Sequence, residues 1–249
     1  EGVVRMAGMV VNITGINKKT EMTFNYSTKK QARITGSLYL VVVLTGIFSL
    51  AYVPNKLIVW DNPVLTFDNI VQAEQLFRLG IICSIICYVT YIFLSIAFYK
   101  LLKGINKSYA TIMVLLVLIS VPVALINLQN KLSILPLIGQ KEYLKILSGE
   151  QLRTKVMFLL DQYNYGIEIA SIFWGLWLLP LGYLVYKSNI LPKLLGILLM
   201  LGCFGYLINI FGDLLFKNYS DLGISTYISL PASIGEIGLC LWLLIVGAK

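Results

Sequence analysis

"LGIICSIICYVTYIFLSIAFYKLLKGINKSYATIMVLLVLISVPVALINL", residues 79–128, reads as two apolar segments joined by one basic turn. Residues 79–99 and 110–128 contain no charged side chain, while Lys100, Lys103 and Lys107 cluster between them. Each apolar run has about the 20 residues that a helix needs to cross a bilayer core. Working outward, the same pattern recurs at 34–53, 156–186, 194–216 and 227–246. The expected fold is therefore all-α: a polytopic membrane domain over residues 29–249 with six transmembrane helices. The fourth run is too long for a simple crossing, so it either tilts or starts in the outer interface.

Composition agrees. Of 249 residues, 58% are hydrophobic and 13% charged, with a mean hydropathy of +0.81. A soluble domain of this size carries far more charge on its surface. The net charge of +8 follows membrane topology. If both termini are cytoplasmic, the inner segments hold Arg5, Lys18, Lys19, Lys29, Lys30, Arg33, Lys100, Lys103, Lys107, Lys187, Lys193 and Lys249, against two inner acids, Glu1 and Glu21. That asymmetry predicts cytoplasmic termini in a cell-membrane protein. No basic folded domain presents a nucleic-acid surface, so the bilayer is the expected partner.

Residues 1–28 are polar and lack a signal-peptide core, which predicts a disordered cytoplasmic tail. Met22 is an alternative start, with 1–21 as upstream or added sequence. Cys83, Cys87, Cys203 and Cys240 all fall inside spans and read as small apolar side chains, although Cys83 and Cys87 share a helix face. The absence of histidine removes most zinc, haem and Ser–His–Asp chemistry. No cofactor is expected.

Local signals fill in the connections. Pro54 is expected to end the first span, Trp60 to sit in an aromatic belt, and Thr66 or Asp68 to cap a helix running into span two. "SGEQ" (148–151) reads as a capping box, and "KEYLKIL" (141–147) as a short amphipathic surface piece. Gly166, Gly175 and Gly182 in span four, with Gly196, Gly202, Gly205 and Gly212 in span five, mark close helix approaches. Pro122, Pro180 and Pro231 are expected to kink their helices. "FYKLLKGINKSYATIMVLLVLI" and "VYKSNILPKLLGILLMLG" echo one another weakly, as a parallel repeat would.

The stretches "ARITGSLYL", "GIFSLAYVPNKL", "LFRLGI", "VLISVPVALIN", "IFWGLWLLPLGYLVYKS", "LPKLLGILLMLGCFGYL" and "IGEIGLCLWLL" together resemble a bacterial family catalogued only as a domain of unknown function. The resemblance runs over roughly residues 29–247 and implies a six-helix integral membrane protein of bacteria or archaea. It supplies no catalytic motif to carry over.

Function has to be sought among the polar residues that interrupt the spans. "DQYNYGIEIASIFWG" (161–175) places Asp161, Asn164 and Glu168 on one helical stripe. Arg78, Asn209, Asp213 and Glu236 interrupt other spans. Counting about 1.5 Å per residue from the inner bases puts Glu236 near the midplane, Glu168 and Asn209 higher, and Asp161, Asp213 and Arg78 at the outer edge. A carboxylate at the centre of a span costs about 2.5–3.5 kcal/mol, so it should face the bundle interior. The functional reading is an outward-facing polar cavity with Glu236 at its floor and Glu168 on its wall. The structural reading is a closed hydrogen-bond network, with Arg78 neutralising an acid. Glu236 has no base on its own helix and is expected to exchange protons near neutral pH. Trp174, Trp177, Trp242, Tyr183 and Tyr186 either line a pocket or pack the core.

Three functions follow: binding or transport of a small cation, proton or amphipathic ligand; an accessory or structural role; and an intramembrane carboxylate enzyme. The last has the thinnest support, because only paired carboxylates are available to it.

Overall fold

A computed structural model describes residues 28–139, 141–219 and 222–248. All but one residue of the tail expected over 1–28 lies outside this range, as does the alternative start at Met22. Every regular element from Thr28 onwards is helical. The elements are α1 (Thr28–Leu57), α2 (Pro63–Gln72), α3 (Glu74–Leu102), α4 (Lys107–Ile138), α5 (Gly149–Lys187), α6 (Lys193–Leu215) and α7 (Ile224–Ile245). Six of them, all but α2, are long and apolar enough to cross a membrane.

These six form a closed ring in chain order. Each packs on the next, the α5–α6 interface is the most extensive, and α7 returns to α1. Small residues set the closest approaches. A Cβ on Gly36 of α1 would stand 2.8 Å from the Leu244 amide nitrogen of α7, and one on Gly202 would stand 2.7 Å from the Ala232 Cα. With no hydrophobic drive between helices in lipid, such backbone proximity is a main source of association.

The middle of the ring is filled by aromatic side chains. Trp177 of α5 is 1% exposed and meets Tyr39 of α1 and Tyr91 and Phe98 of α3 in edge-to-face contacts. A second apolar cluster covers the end of the bundle away from the termini. It is built by α2, the last turns of α1 and α4, and the first turns of α3 and α5, with Ile70, Ile134 and Val156 fully buried.

Several local expectations change. Pro54 does not end the first span, which runs on to Leu57. Phe48–Tyr52 forms one π turn, and the Val53 amide donates to the Phe48 carbonyl five residues back. This register lets the chain absorb a proline without a clash in the preceding turn.

The segment expected as one helix from Thr66 or Asp68 is divided in two. Asn62 caps α2, its Oδ1 accepting from the Leu65 amide at 2.9 Å, and Pro63 occupies the first turn. Thr66 instead clamps the preceding loop, accepting from the Val59 amide at 2.9 Å and donating to the Val59 carbonyl at 2.8 Å. The chain bends at Ala73 before α3.

α4 continues past Leu128 to Ile138, beyond its expected end. The 141–147 segment is a single 3-10 turn, Glu142–Leu144, with Leu144 tucked into the distal cluster. The capping box forms as expected: the Gln151 amide donates to Ser148 Oγ, and the Ser148 amide donates to Gln151 Oε1. Because of it α5 begins at Gly149 and has 39 residues, about 58 Å at helical rise. Its first turns therefore belong to the distal cluster and not to the crossing. Helices α4, α5 and α7 continue through Pro122, Pro180 and Pro231.

Candidate functional site

Inside the ring lies a cavity of about 260 Å³, lined from every spanning helix except α4. α1 contributes Tyr39, α3 contributes Tyr88 and Tyr91, α5 contributes Trp174 and Trp177, and α6 contributes Tyr206. α7 supplies Ser233 and Glu236, the latter being the one charged residue of the lining. The Glu236 Oε1 accepts a hydrogen bond of 3.3 Å from the Tyr39 hydroxyl. Neither of the two ion pairs among the described residues involves Glu236. It stands nine residues before the end of α7, about 14 Å along the axis.

Local sequence explains how the groups meet. Gly175 leaves the space that the Tyr206 side chain occupies, since a Cβ there would fall 2.6 Å from the Tyr206 Cβ. Tyr88 and Tyr91 stand three apart and share one face of α3, where they meet Trp174 and Trp177 with ring centroids 6.1 and 5.0 Å apart. The rim residues Ile47, Ser233 and Ile237 are exposed on the flank between α1 and α7. Nearer the termini the same two helices are sealed by the Gly36–Leu244 contact.

Of the seven polar residues singled out in the sequence as candidate ligand contacts, Glu236 alone lines this cavity. Glu168 is half-buried on α5, within electrostatic range of Asp213 on α6. Asp161, Asn164 and Asp213 are exposed. Arg78 is exposed too and pairs within its own helix with Glu74 at 2.6 Å, so its counter-ion is not one of the intramembrane acids.

Asn209 belongs to a closed network. Its Nδ2 donates to Ser229 Oγ at 2.8 Å and to the Ser225 carbonyl at 3.2 Å, while its Oδ1 accepts from the Tyr219 hydroxyl at 2.7 Å. A similar lock joins α4 to α5: Asn127 Nδ2 donates to the Tyr163 carbonyl at 2.8 Å, and Asn127 Oδ1 accepts from Asn130 at 3.0 Å. Beside it Lys131, only 3% exposed, places its Nζ 3.9 Å from the centre of the Tyr163 ring.

Trp174 and Trp177 are the two aromatics of the sequence reading that reach the cavity; Trp242, Tyr183 and Tyr186 do not line it. Tyr39, Tyr88, Tyr91 and Tyr206 were not anticipated. The three-residue spacing of Tyr88 and Tyr91 on an apolar helix was the one signal that pointed to them. No cluster of three or more metal-ligating side chains occurs among the described residues.

Six spanning helices closed into a ring define a multi-pass helical membrane protein. The chain belongs to the family described as Domain of unknown function (DUF4386), which matches residues 34–247. It is 37% identical over 84 residues to a protein of Archaeoglobus fulgidus described as uncharacterized. The match covers 33% of this chain and 47% of the relative, so the chain spans about half the length of the relative it matches. No solved structure matches this chain.

Proposed function

We propose that the protein binds a small cation or amphipathic ligand within the membrane, at the central cavity, with Glu236 as the recognition charge. One observation carries this reading: a carboxyl group in mid-span has, among the described residues, a single tyrosine hydroxyl as its hydrogen-bond donor and faces a cavity of about 260 Å³. An intramembrane acid without a base is costly unless it serves a ligand or an ion. The excess of Lys and Arg at the end of the bundle that bears the termini supports a cytoplasmic position for both in a cell-membrane protein.

The accessory or structural reading has its own support in the Asn209 and Asn127 networks, which are internally satisfied. Those networks fasten neighbouring helices and leave nothing to recognise a ligand. Glu236 differs in having a hydrogen-bond partner on one oxygen only among the described residues.

The test is a titration of tryptophan fluorescence, which Trp174 and Trp177 report from the cavity wall. Purified protein in lipid nanodiscs is titrated at constant ionic strength with sodium, potassium, ammonium and tetraalkylammonium chlorides. A saturable change in the parent that disappears in Glu236→Gln is the expected result. If none of the salts gives a Glu236-dependent change, the architectural role is the better account.

A further inference from the structure

We propose that the central cavity is an aromatic box for a quaternary or tertiary ammonium ion that enters sideways from the bilayer, with Glu236 as its counter-charge. This rests on the cation-binding reading above and narrows it to one chemical class.

Size comes first. A volume of about 260 Å³ equals roughly nine waters at liquid density. A bare inorganic cation would leave most of that space to be filled by water. Hard cations also want six or more oxygen ligands. Here one carboxylate, one serine hydroxyl and a few phenols are on offer.

The rest of the wall is aromatic and aliphatic. Trp and Tyr faces attract a cation through the ring quadrupole, and quaternary ammonium recognition is the best-known use of such cages. A primary ammonium brings three N–H donors that each need an oxygen acceptor, whereas an alkylated nitrogen can rest directly against the aromatic faces that make up most of this wall. Alkyl substitution removes those donors and spreads the charge over a larger radius, which lowers the cost of leaving water. The chemistry of the wall thus selects an alkylated nitrogen with an apolar body.

The route follows from the rim. Ile47, Ser233 and Ile237 stand exposed on the flank between α1 and α7. The distal end above α1, α3, α4 and α5 is covered by the second apolar cluster. An amphipathic cation already partitioned into the bilayer meets this opening directly.

The experiment compares choline and benzyltrimethylammonium with the neutral carbon analogue of choline, in nanodiscs, by the same tryptophan signal. Both ammonium ions are expected to bind at least tenfold more tightly than the neutral analogue, and Glu236→Gln is expected to erase that difference. Trp174→Leu should weaken the ammonium ions by about twofold to thirtyfold, the range of a cation–π contact, while Trp174→Phe keeps most of the affinity. Thermal unfolding of each variant checks its fold. Should Trp174→Leu fail to fold, the ammonium-against-neutral comparison in the parent still decides the matter. Equal binding of the neutral analogue overturns the proposal. Glu236-dependent binding of sodium or potassium without the ammonium ions overturns it too, yet leaves the broader cation reading standing. Loss of every Glu236-dependent signal removes both.

Discussion

Gly182 of α5 and Gly196 of α6 touch backbone to backbone. A Cβ on Gly182 would lie 2.6 Å from the Gly196 carbonyl oxygen, and one on Gly196 would lie 2.7 Å from the Gly182 oxygen. The contact is reciprocal, so neither helix can yield by rotating a side chain. Gly182→Leu and Gly196→Leu are each expected to destabilise the protein by about 1–3 kcal/mol or more, as overpacking does. Gly205→Leu belongs with them, because its Cβ would stand 2.5 Å from the Ile228 carbonyl oxygen. Gly104→Ala, at a turn with nothing within 4 Å, is the control. Thermal unfolding in detergent reads the series, and equal melting of all four variants with the parent would refute this packing account.

Gly166 and Asn127 make a second such pair, this time through a side chain. A Cβ on Gly166 would occupy the place of the Asn127 amide group, which donates to the Tyr163 carbonyl. Gly166→Ala should therefore break that hydrogen bond and cost about 1–3 kcal/mol, the penalty for an orphaned buried polar group. In an Asn127→Ala background the space is free, and the same substitution should cost little. Additive effects in this double-mutant cycle would show that the two residues are not coupled.

The limits of sequence reading can be traced to particular residues. The crossings were legible because runs such as 79–99 and 110–128 carry no charge, and the Ser148 box because its two partners stand three residues apart. Residues 129–138, "QNKLSILPLI", were missed: Gln129, Asn130 and Lys131 look like a loop start. Their burial depends on Tyr163 and its neighbours on another helix. The site divides in the same way. Glu236 stood out as a lone acid in an apolar run. The tyrosines around it come from α1, α3 and α6, and spacing along one helix says nothing about which faces of separate helices converge. Asn209 carried the same polar signal as Glu236, yet its partner Tyr219 lies in a loop that no periodicity assigns.

Topology is open to direct test. The Lys and Arg excess at the end bearing the termini predicts that Asn106, in the α3–α4 turn, faces the cytoplasm and Lys145 the outside. Reporter fusions after each residue should give opposite readings, with the cytoplasmic reporter active at Asn106. The reverse pattern would invert the protein and put the covered end of the bundle inside.

Lys131 offers a test of the distal layer. Its charge is buried against the Tyr163 ring, with no ion pair among the described residues. Lys131→Met keeps the length of the side chain and removes the cation, so stability should be unchanged or raised, since a buried charge is expensive to desolvate. Tyr163→Leu should then cost more in the parent than in Lys131→Met, by about 0.5–2 kcal/mol, the worth of the cation–π contact. Equal costs in both backgrounds would mean that the ring packs against the lysine without recognising its charge.

The hydrogen bond from Tyr39 to Glu236 separates the site from its scaffold. The Tyr39 ring packs edge-to-face on Phe98 at 5.7 Å and on Trp177 at 6.5 Å, contacts that Tyr39→Phe preserves. Among the described residues the hydroxyl makes one hydrogen bond, to Glu236. Tyr39→Phe should accordingly melt close to the parent while altering the environment of one carboxyl group. Infrared difference spectroscopy can assign the Glu236 band by its disappearance in Glu236→Gln and then follow its frequency in Tyr39→Phe. A shift of that band, together with a binding loss smaller than that of Glu236→Gln, is expected if Tyr39 orients the acid for a ligand. Adding Tyr39→Phe to Glu236→Gln should cost no further binding, because the orienting bond has nothing left to act on. A band that does not move would mean that the phenol leaves the carboxyl unperturbed, and Glu236 would then have to hold its position in the cavity without Tyr39.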